Sequence, residues 1–228
     1  MKNENAVLRN LFISVIFLVS AFISVNAQDK FEGKVKFRMD SPDGNMDMTY
    51  FSNGDNVRIN VEGEGVEGTM SMILSGKKMM VLMPAQQMYM EFSSDFMNQK
   101  HEEEMDDSEQ KIKPEDFPKF KTGETKVISG YKCDQYKFTE QDEEVEVWAT
   151  DELGNFFFIE NPMSGEEGVQ SMFNGTGFFP LLIISKDKSG GREFKMEATS
   201  VEKMSVSSDM FSVPSGYKKF DMGMFNQE

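Results

Sequence analysis

Side chains along this sequence alternate with a period of two, and that pattern commits the chain to strands before anything else is known. Phe31, Gly33, Val35, Phe37 and Met39 fall on one face of an extended segment, with Glu32, Lys34, Lys36 and Arg38 on the other, because successive Cβ atoms of a strand point to opposite sides. Ser41-Pro42-Asp43-Gly44 interrupts the run with a turn in which Pro presets one dihedral and Gly accepts positive φ. Met46, Met48 and Tyr50 then alternate against Asp47 and Thr49, so the two segments read as a hairpin. Asn53-Gly54-Asp55 leads into Val57, Ile59 and Val61, and further runs follow at 69–74, 79–83 and 88–92. The expectation is an antiparallel meander with one solvated face.

From residue 95 the pattern lapses. Glu102, Glu103, Glu104, Asp106, Asp107 and Glu109 form a dense acidic run, read as a solvated insertion over 95–116. A calcium loop fits less well, because the spacing lacks the Gly-centred turn of an EF-hand. Strands resume at 125–128, 131–138 and 143–150, and another begins over 156–159 after a turn at 151–154. Ser164-Gly165-Glu166-Glu167 fits a capping box opening a short helix with Val169, Met172 and Phe173 on one face and Gly175 as its stop. The apolar run 178–184 pairs across Lys188-Ser189-Gly190-Gly191 with 194–201. Phe178-Phe179-Pro180-Leu181 reads as an edge of the core, with a mobile flap hinged at Gly175-Thr176-Gly177 as the alternative.

The start of the chain is an address. Lys2 and Arg9 precede an apolar run over 11–25, and Val25-Asn26-Ala27 presents small side chains where a signal peptidase reads. This is a secretory signal over 1–27, too short and too sharply ended for a membrane anchor. No Cys follows it to take a lipid. The working protein is expected to be one domain, 28–228, exported to the periplasm, with no transmembrane anchor in the mature chain.

Charge and cysteine then narrow the function. Losing Lys2, Arg9 and Glu4 with the leader takes the net charge from −15 to −16. Phosphate backbones and anionic head groups repel such a chain, which argues against nucleic acid and against anionic membrane surfaces as partners. Cys133 is the single cysteine, so no intramolecular disulfide forms and the fold rests on its apolar core. Alternation groups Cys133 with Tyr131 and Gln135, away from Lys132 and Asp134, which points to a buried and inert thiol. Trp148 stands opposite Val145, Val147 and Ala149 and is expected to bury one face.

Catalytic parts are not assembled. His101 is the single histidine and lies inside the acidic run, without a nucleophile motif near it. No catalytic residue, cofactor or metal ligand is assigned. The unusual feature is methionine, 20 in all and 19 after the leader. Met46 with Met48, Met70 with Met72, and Met88 with Met90 are same-face pairs, each painting an apolar stripe. One reading is an ordinary core that uses Met. A second is a concave sheet whose Met stripe, with Phe178 and Phe179, lines a pocket for an acyl chain or lipidated segment. A third is a soft-metal site, since thioethers favour Cu(I).

Several segments together resemble the exported bacterial proteins of domain of unknown function family 4412. They are Phe31-Glu32-Gly33-Lys34-Val35, Val57-Arg58-Ile59, Gly123-Glu124-Thr125 running to Gly130-Tyr131-Lys132-Cys133, the stretch Val147-Trp148-Ala149-Thr150-Asp151-Glu152-Leu153-Gly154, and Phe179-Pro180-Leu181. The ending Phe211-Ser212-Val213-Pro214-Ser215-Gly216-Tyr217-Lys218 is the most specific piece. More remotely, the strand pattern and that ending are similar to the LolA/LolB-like lipoprotein carrier group. The resemblance implies a curved antiparallel half-barrel that wraps helices and shelters acyl chains. No ligand-binding residue of the carriers maps onto a position here. Arg58 is expected to pair structurally with an acidic group, or else to face a ligand.

The expected fold is mainly β, a curved antiparallel sheet forming a half-barrel or barrel with one or two short helices. The expected function is a non-catalytic periplasmic binding or carrier protein for a hydrophobic ligand, partnered by a lipid or lipidated protein. An exported interaction domain with no small ligand is the main alternative. An enzyme of unknown reaction or a Met-based copper binder comes third. The sequence specifies neither the ligand nor an oligomeric state.

Overall fold

Twelve strands among the described residues join one continuous sheet. The computed structural model describes residues 30–42, 44–63, 68–93, 114–140, 143–158, 173, 176–189 and 193–220. The segment read as a leader, the acidic run with His101 and, apart from Phe173, the helix expected at Ser164 lie outside them. The strands are β1 (Glu32–Ser41), β2 (Gly44–Asn53), β3 (Val57–Gly63), β4 (Met70–Ser75), β5 (Lys78–Met83), β6 (Met88–Ser93), β7 (Lys121–Ile128), β8 (Tyr131–Glu140), β9 (Glu143–Thr150), β10 (Phe179–Asp187), β11 (Glu193–Lys203) and β12 (Lys218–Lys219). Their spatial order is β12-β6-β5-β4-β3-β2-β1-β11-β10-β9-β8-β7. All neighbours are antiparallel except β12, which runs parallel to β6. The sheet is curved and does not close, so the alternation led to a half-barrel rather than a barrel.

Apart from Phe173, a lone described residue in 3-10 conformation, helical structure among the described residues amounts to 3-10 turns at Pro84–Gln86, Pro114–Phe120 and Ser208–Phe211. None is long and apolar enough to cross a membrane. The strand expected over 156–159 is a correction: Phe156 makes a single bridge, and 157–158 are irregular. Gly154, at φ 68°, redirects the chain, and Phe156 turns its fully buried ring onto other aromatic rings instead of extending a ladder. Phe179, Pro180 and Leu181 are buried members of β10, so this segment is core and not a flap. The register with β9 shifts between Pro180 and Leu182, which suits a residue with no N–H to give.

The sheet has two apolar layers. The inner face carries the large core, including Val35, Phe37, Met48, Tyr50, Ile59, Phe156 and Phe179. The back face carries a smaller one, where Ile73, Met80 and Leu82 are covered by Val206 and Phe211. After β11 the chain crosses the back of β3 to β5 as an irregular strap and ends as β12 on the β6 edge. Lys218 N–H donates to the Gln87 carbonyl at 2.9 Å and Phe220 N–H to the Tyr89 carbonyl at 2.7 Å.

Arg58 holds this strap. Its guanidinium donates to Asn60 Oδ1 at 2.9 Å, to Ser71 Oγ at 3.1 Å and to the Met210 carbonyl at 3.1 Å. The role is structural, but the acceptors are neutral rather than the expected acidic group. At the opposite edge β7 is exposed over Lys121–Val127, and a register break before Thr125 together with Lys121 and Lys126 discourages further strand pairing.

Cys133 is fully buried, and burial pushes its thiol up to about 11, an inert cysteine as expected. Trp148 is buried beside Val147 and Ala149. Its indole donates to Glu146 at 2.7 Å, and Lys126 lies 5.0 Å over the ring.

Candidate functional site

Register decides which methionines meet, because directly opposed residues of an antiparallel pair share a face. One row across the inner face runs Val35, Tyr50, Ile59, Met72, Val81, Met90. The adjacent row runs Phe37, Met48, Val61, Met70 and is continued by Met83 opposite Met88. Met46 stands one row further out, between Met39 and Gly63. The three pairs singled out in the sequence therefore share one face over β2 to β6.

Depth separates them. Met48, Met72 and Met90 are only 1%, 6% and 7% exposed and belong to the floor of the layer. Met46, Met70 and Met88 are half-buried, as is Met83. Met70 opens β4, Met83 ends β5 and Met88 opens β6, so these side chains form a lip at one end of the sheet. Thioethers are unbranched and polarizable, so the layer can repack at modest cost.

The two phenylalanines part company. The ring of Phe179 lies 5.5 Å from Tyr50, 5.7 Å from Phe31 and 5.0 Å from Phe156, beside the methionine floor. Phe178 turns to a second group, 5.6 Å from both Phe117 and Tyr136. Phe117 and Tyr136 stack at 4.2 Å, and Phe173 meets Phe117 edge-on at 4.8 Å. Edge-on and offset arrangements of this kind add about 0.5–1.5 kcal/mol per pair beyond the area they bury.

Phe156 and Phe117 are central to these groups, and sequence reasoning assigned neither a role. The signal for Phe156 was the Phe156-Phe157-Phe158 triplet after a turn, which an apolar run alone reads as strand.

The inner face is electrically quiet. Burial raises the Tyr50 hydroxyl far above the ordinary tyrosine value, and a backbone hydrogen bond from Phe157 offsets only part of that. Burial also pushes Tyr136 up to about 12, helped by the charges of Asp134 and Asp151. Both phenols stay protonated at neutral pH. Among the described residues no three His, Cys, Asp or Glu side chains gather to hold a metal ion. A cavity of about 310 Å³ beside the lip is lined by Arg38, Asn45, Met46, Asp47, Glu62 and Gly63. Another of about 180 Å³ at the opposite end is bounded by Lys30, Phe31, Asp55, Asn155 and Phe157 among others. Neither is lined by Met48, Met70, Met72, Met88 or Met90.

A family model described as a domain of unknown function, DUF4412, matches residues 31–217. No curated protein matches the chain. Among solved structures, an uncharacterized conserved protein from Thermus thermophilus is similar at 7% identity and TM-score 0.50, covering 83% of this chain and 90% of its own. The MucA/MucB complex of Pseudomonas aeruginosa contains a chain 8% identical with TM-score 0.46, covering 83% of this chain and 58% of that one. A LolA superfamily protein from Nitrosomonas europaea is 14% identical with TM-score 0.34, over 82% of this chain and 91% of that one. At 7% identity the likeness to the Thermus thermophilus protein is one of fold alone.

Proposed function

The chain belongs to the DUF4412 family, and on that footing we propose that it is an exported, non-catalytic binding protein whose methionine-rich inner face takes up an apolar group, an acyl chain or a similar lipid-like segment. The leader over 1–27 supports export, and the periplasm is the compartment it serves, with 28–228 as one working domain. The observation that carries the reading is the in-register layer over β2 to β6, buried at its floor and half-open at its lip.

Met46, Met70 and Met88 make the first contacts. Met48, Met72 and Met90 then shift to admit the chain, with Phe179 beside the floor and Phe178 on the neighbouring aromatic group. Burying roughly eight methylenes at about 0.8 kcal/mol each gives about 6 kcal/mol before the cost of association. That is weak, reversible holding, suited to a lipid or lipidated protein as cargo.

A second reading, an exported protein-interaction domain with no small ligand, draws support from the floor itself. Met48 and Tyr50 are each only 1% exposed, as in a filled core.

The test is uptake. The protein is exported with its own leader, purified and examined by native mass spectrometry with organic extraction, then titrated with a fluorescent fatty acid. Saturable uptake, weakened about tenfold or more by combining Met70→Asp with Met88→Asp, supports the carrier reading. A chain that neither carries extractable lipid nor takes up the probe turns the assignment to the interaction domain.

A further inference from the structure

We propose that Met70, Met83 and Met88 form a binding site for monovalent copper. The three stand one per strand on neighbouring strands β4, β5 and β6, on one face and in one row. Met83 is directly opposed to Met88, which sets their Cβ atoms about 4.5–5.5 Å apart. Ser71 opposes Leu82, so Met70 and Met83 are the next residues outward on their two strands and face each other in the same way. Each side chain has three rotatable bonds beyond its Cα, enough for the three sulfurs to converge on one point.

The backbone beneath the row is held from both sides. The connection from Met83 to Met88 is a 3-10 turn, Pro84–Gln86, closed by Gln87 in the left-handed region at φ 51° with its N–H on the Pro84 carbonyl. Beyond β6, the strap pairs Lys218 with Met88. The spacing between the last two sulfur-bearing positions is thus set by a rigid turn and braced by the chain end.

The donor chemistry selects the ion. Three neutral thioethers offer soft sulfur and no carboxylate, which favours Cu(I) over calcium, magnesium or zinc. Half-burial matters equally, since Met72 and Met90 on the floor are shielded while the lip row is reachable from solvent. The negative chain, −15 overall, raises the local concentration of any cation.

This inference does not rest on the acyl-binding reading, because its readout is the ion and not an acyl chain. Met→Leu keeps the apolar area and nearly the volume but removes the sulfur. The exported protein is titrated with Cu(I) under anaerobic conditions against bathocuproine disulfonate as competing chelator. The expected result is one equivalent withheld from the chelator. Withholding is weakened about a hundredfold in the Met70→Leu, Met83→Leu, Met88→Leu triple variant and is unchanged in Met204→Leu. The site is overturned if the wild type cedes all its Cu(I), or if the triple variant holds it as the wild type does. Should the triple variant not fold, the three single variants are read instead, and wild-type affinity in all three overturns the proposal.

Discussion

Arg58, the second residue of β3, donates a 3.1 Å hydrogen bond to the main-chain carbonyl of Met210, a residue 152 positions further along the chain. Through that contact one side chain joins the back of the sheet to the strap that covers it. Arg58 also closes a small polar circuit, since Ser71 Oγ donates to Asn60 Oδ1 at 2.8 Å and both accept from the guanidinium.

Arg58→Ala should loosen the strap without disturbing the inner face. The lost charge-assisted bonds and the stranded Met210 carbonyl are expected to cost about 1–3 kcal/mol. Urea unfolding gives the cost, and amide exchange over 204–220 locates it. Unchanged protection there would show that the apolar contacts of Val206 and Phe211 hold the strap alone.

Gly33 has no room for a side chain. A Cβ at that position would lie 2.2 Å from the Glu202 carbonyl oxygen and 2.7 Å from the ring of Phe31. The carbonyl is backbone in the β1–β11 ladder and cannot step aside, so Gly33→Ala is expected to cost about 3 kcal/mol, the upper end for overpacking. A stability loss below about 1 kcal/mol in chemical unfolding would mean that β1 and β11 can part locally.

Truncation of the methionines should follow depth. Met48→Ala and Met72→Ala leave cavities in the floor and are expected to cost about 2–5 kcal/mol each. Met70→Ala and Met88→Ala at the lip are expected to stay under about 1.5 kcal/mol, because removing half-exposed methylenes forfeits less transfer energy and water fills the gap. Equal losses at the two depths, measured by thermal melts, would contradict the distinction between floor and lip.

The strap's edge contact should weaken in acid. Hydrogen bonding from Lys219, backed by Lys78, holds the Glu91 carboxyl below its ordinary value. A lowered carboxylate contributes stability that is fully present above the unfolded-state value of about 4.3 and is lost as pH falls through the folded one. Amide exchange at Lys218 and Phe220 is therefore expected to quicken relative to the sheet interior as pH drops below about 4. Glu91→Gln should abolish that pH dependence. If the variant keeps it, another group governs the edge.

What could be read from the sequence divides along a physical line. Alternation located β1 to β6 and paired the six methionines strand by strand, because a half-buried strand writes its two sides into composition; that the three pairs share one face took the register. β7 escaped over Lys121–Glu124 because an exposed edge strand has no apolar side to write. The strap escaped because a 3-10 turn and irregular backbone carry no period, although its residues stand out as a motif. Depth was illegible: Met70 and Met72 look alike in sequence, and curvature with the packing above them separates 6% exposure from half-burial. Phe156 reads as strand for a related reason, since a buried ring that plugs a concave face has the same neighbours in sequence as a strand residue.

The placement of β1 bears on when the molecule can take shape. β1 is flanked by β2 on one side and by β11 on the other, with Gly33 paired to Lys203. A polypeptide that emerges from a ribosome or a translocation pore with its N-terminus first can zip β1 to β6 early. The middle of its sheet stays unfinished until residue 203 is out, and the β6 edge stays bare until residue 219 follows. Pairing at such separation is slow. The arrangement lets half of the sheet form early and defers its completion until nearly the whole chain is free.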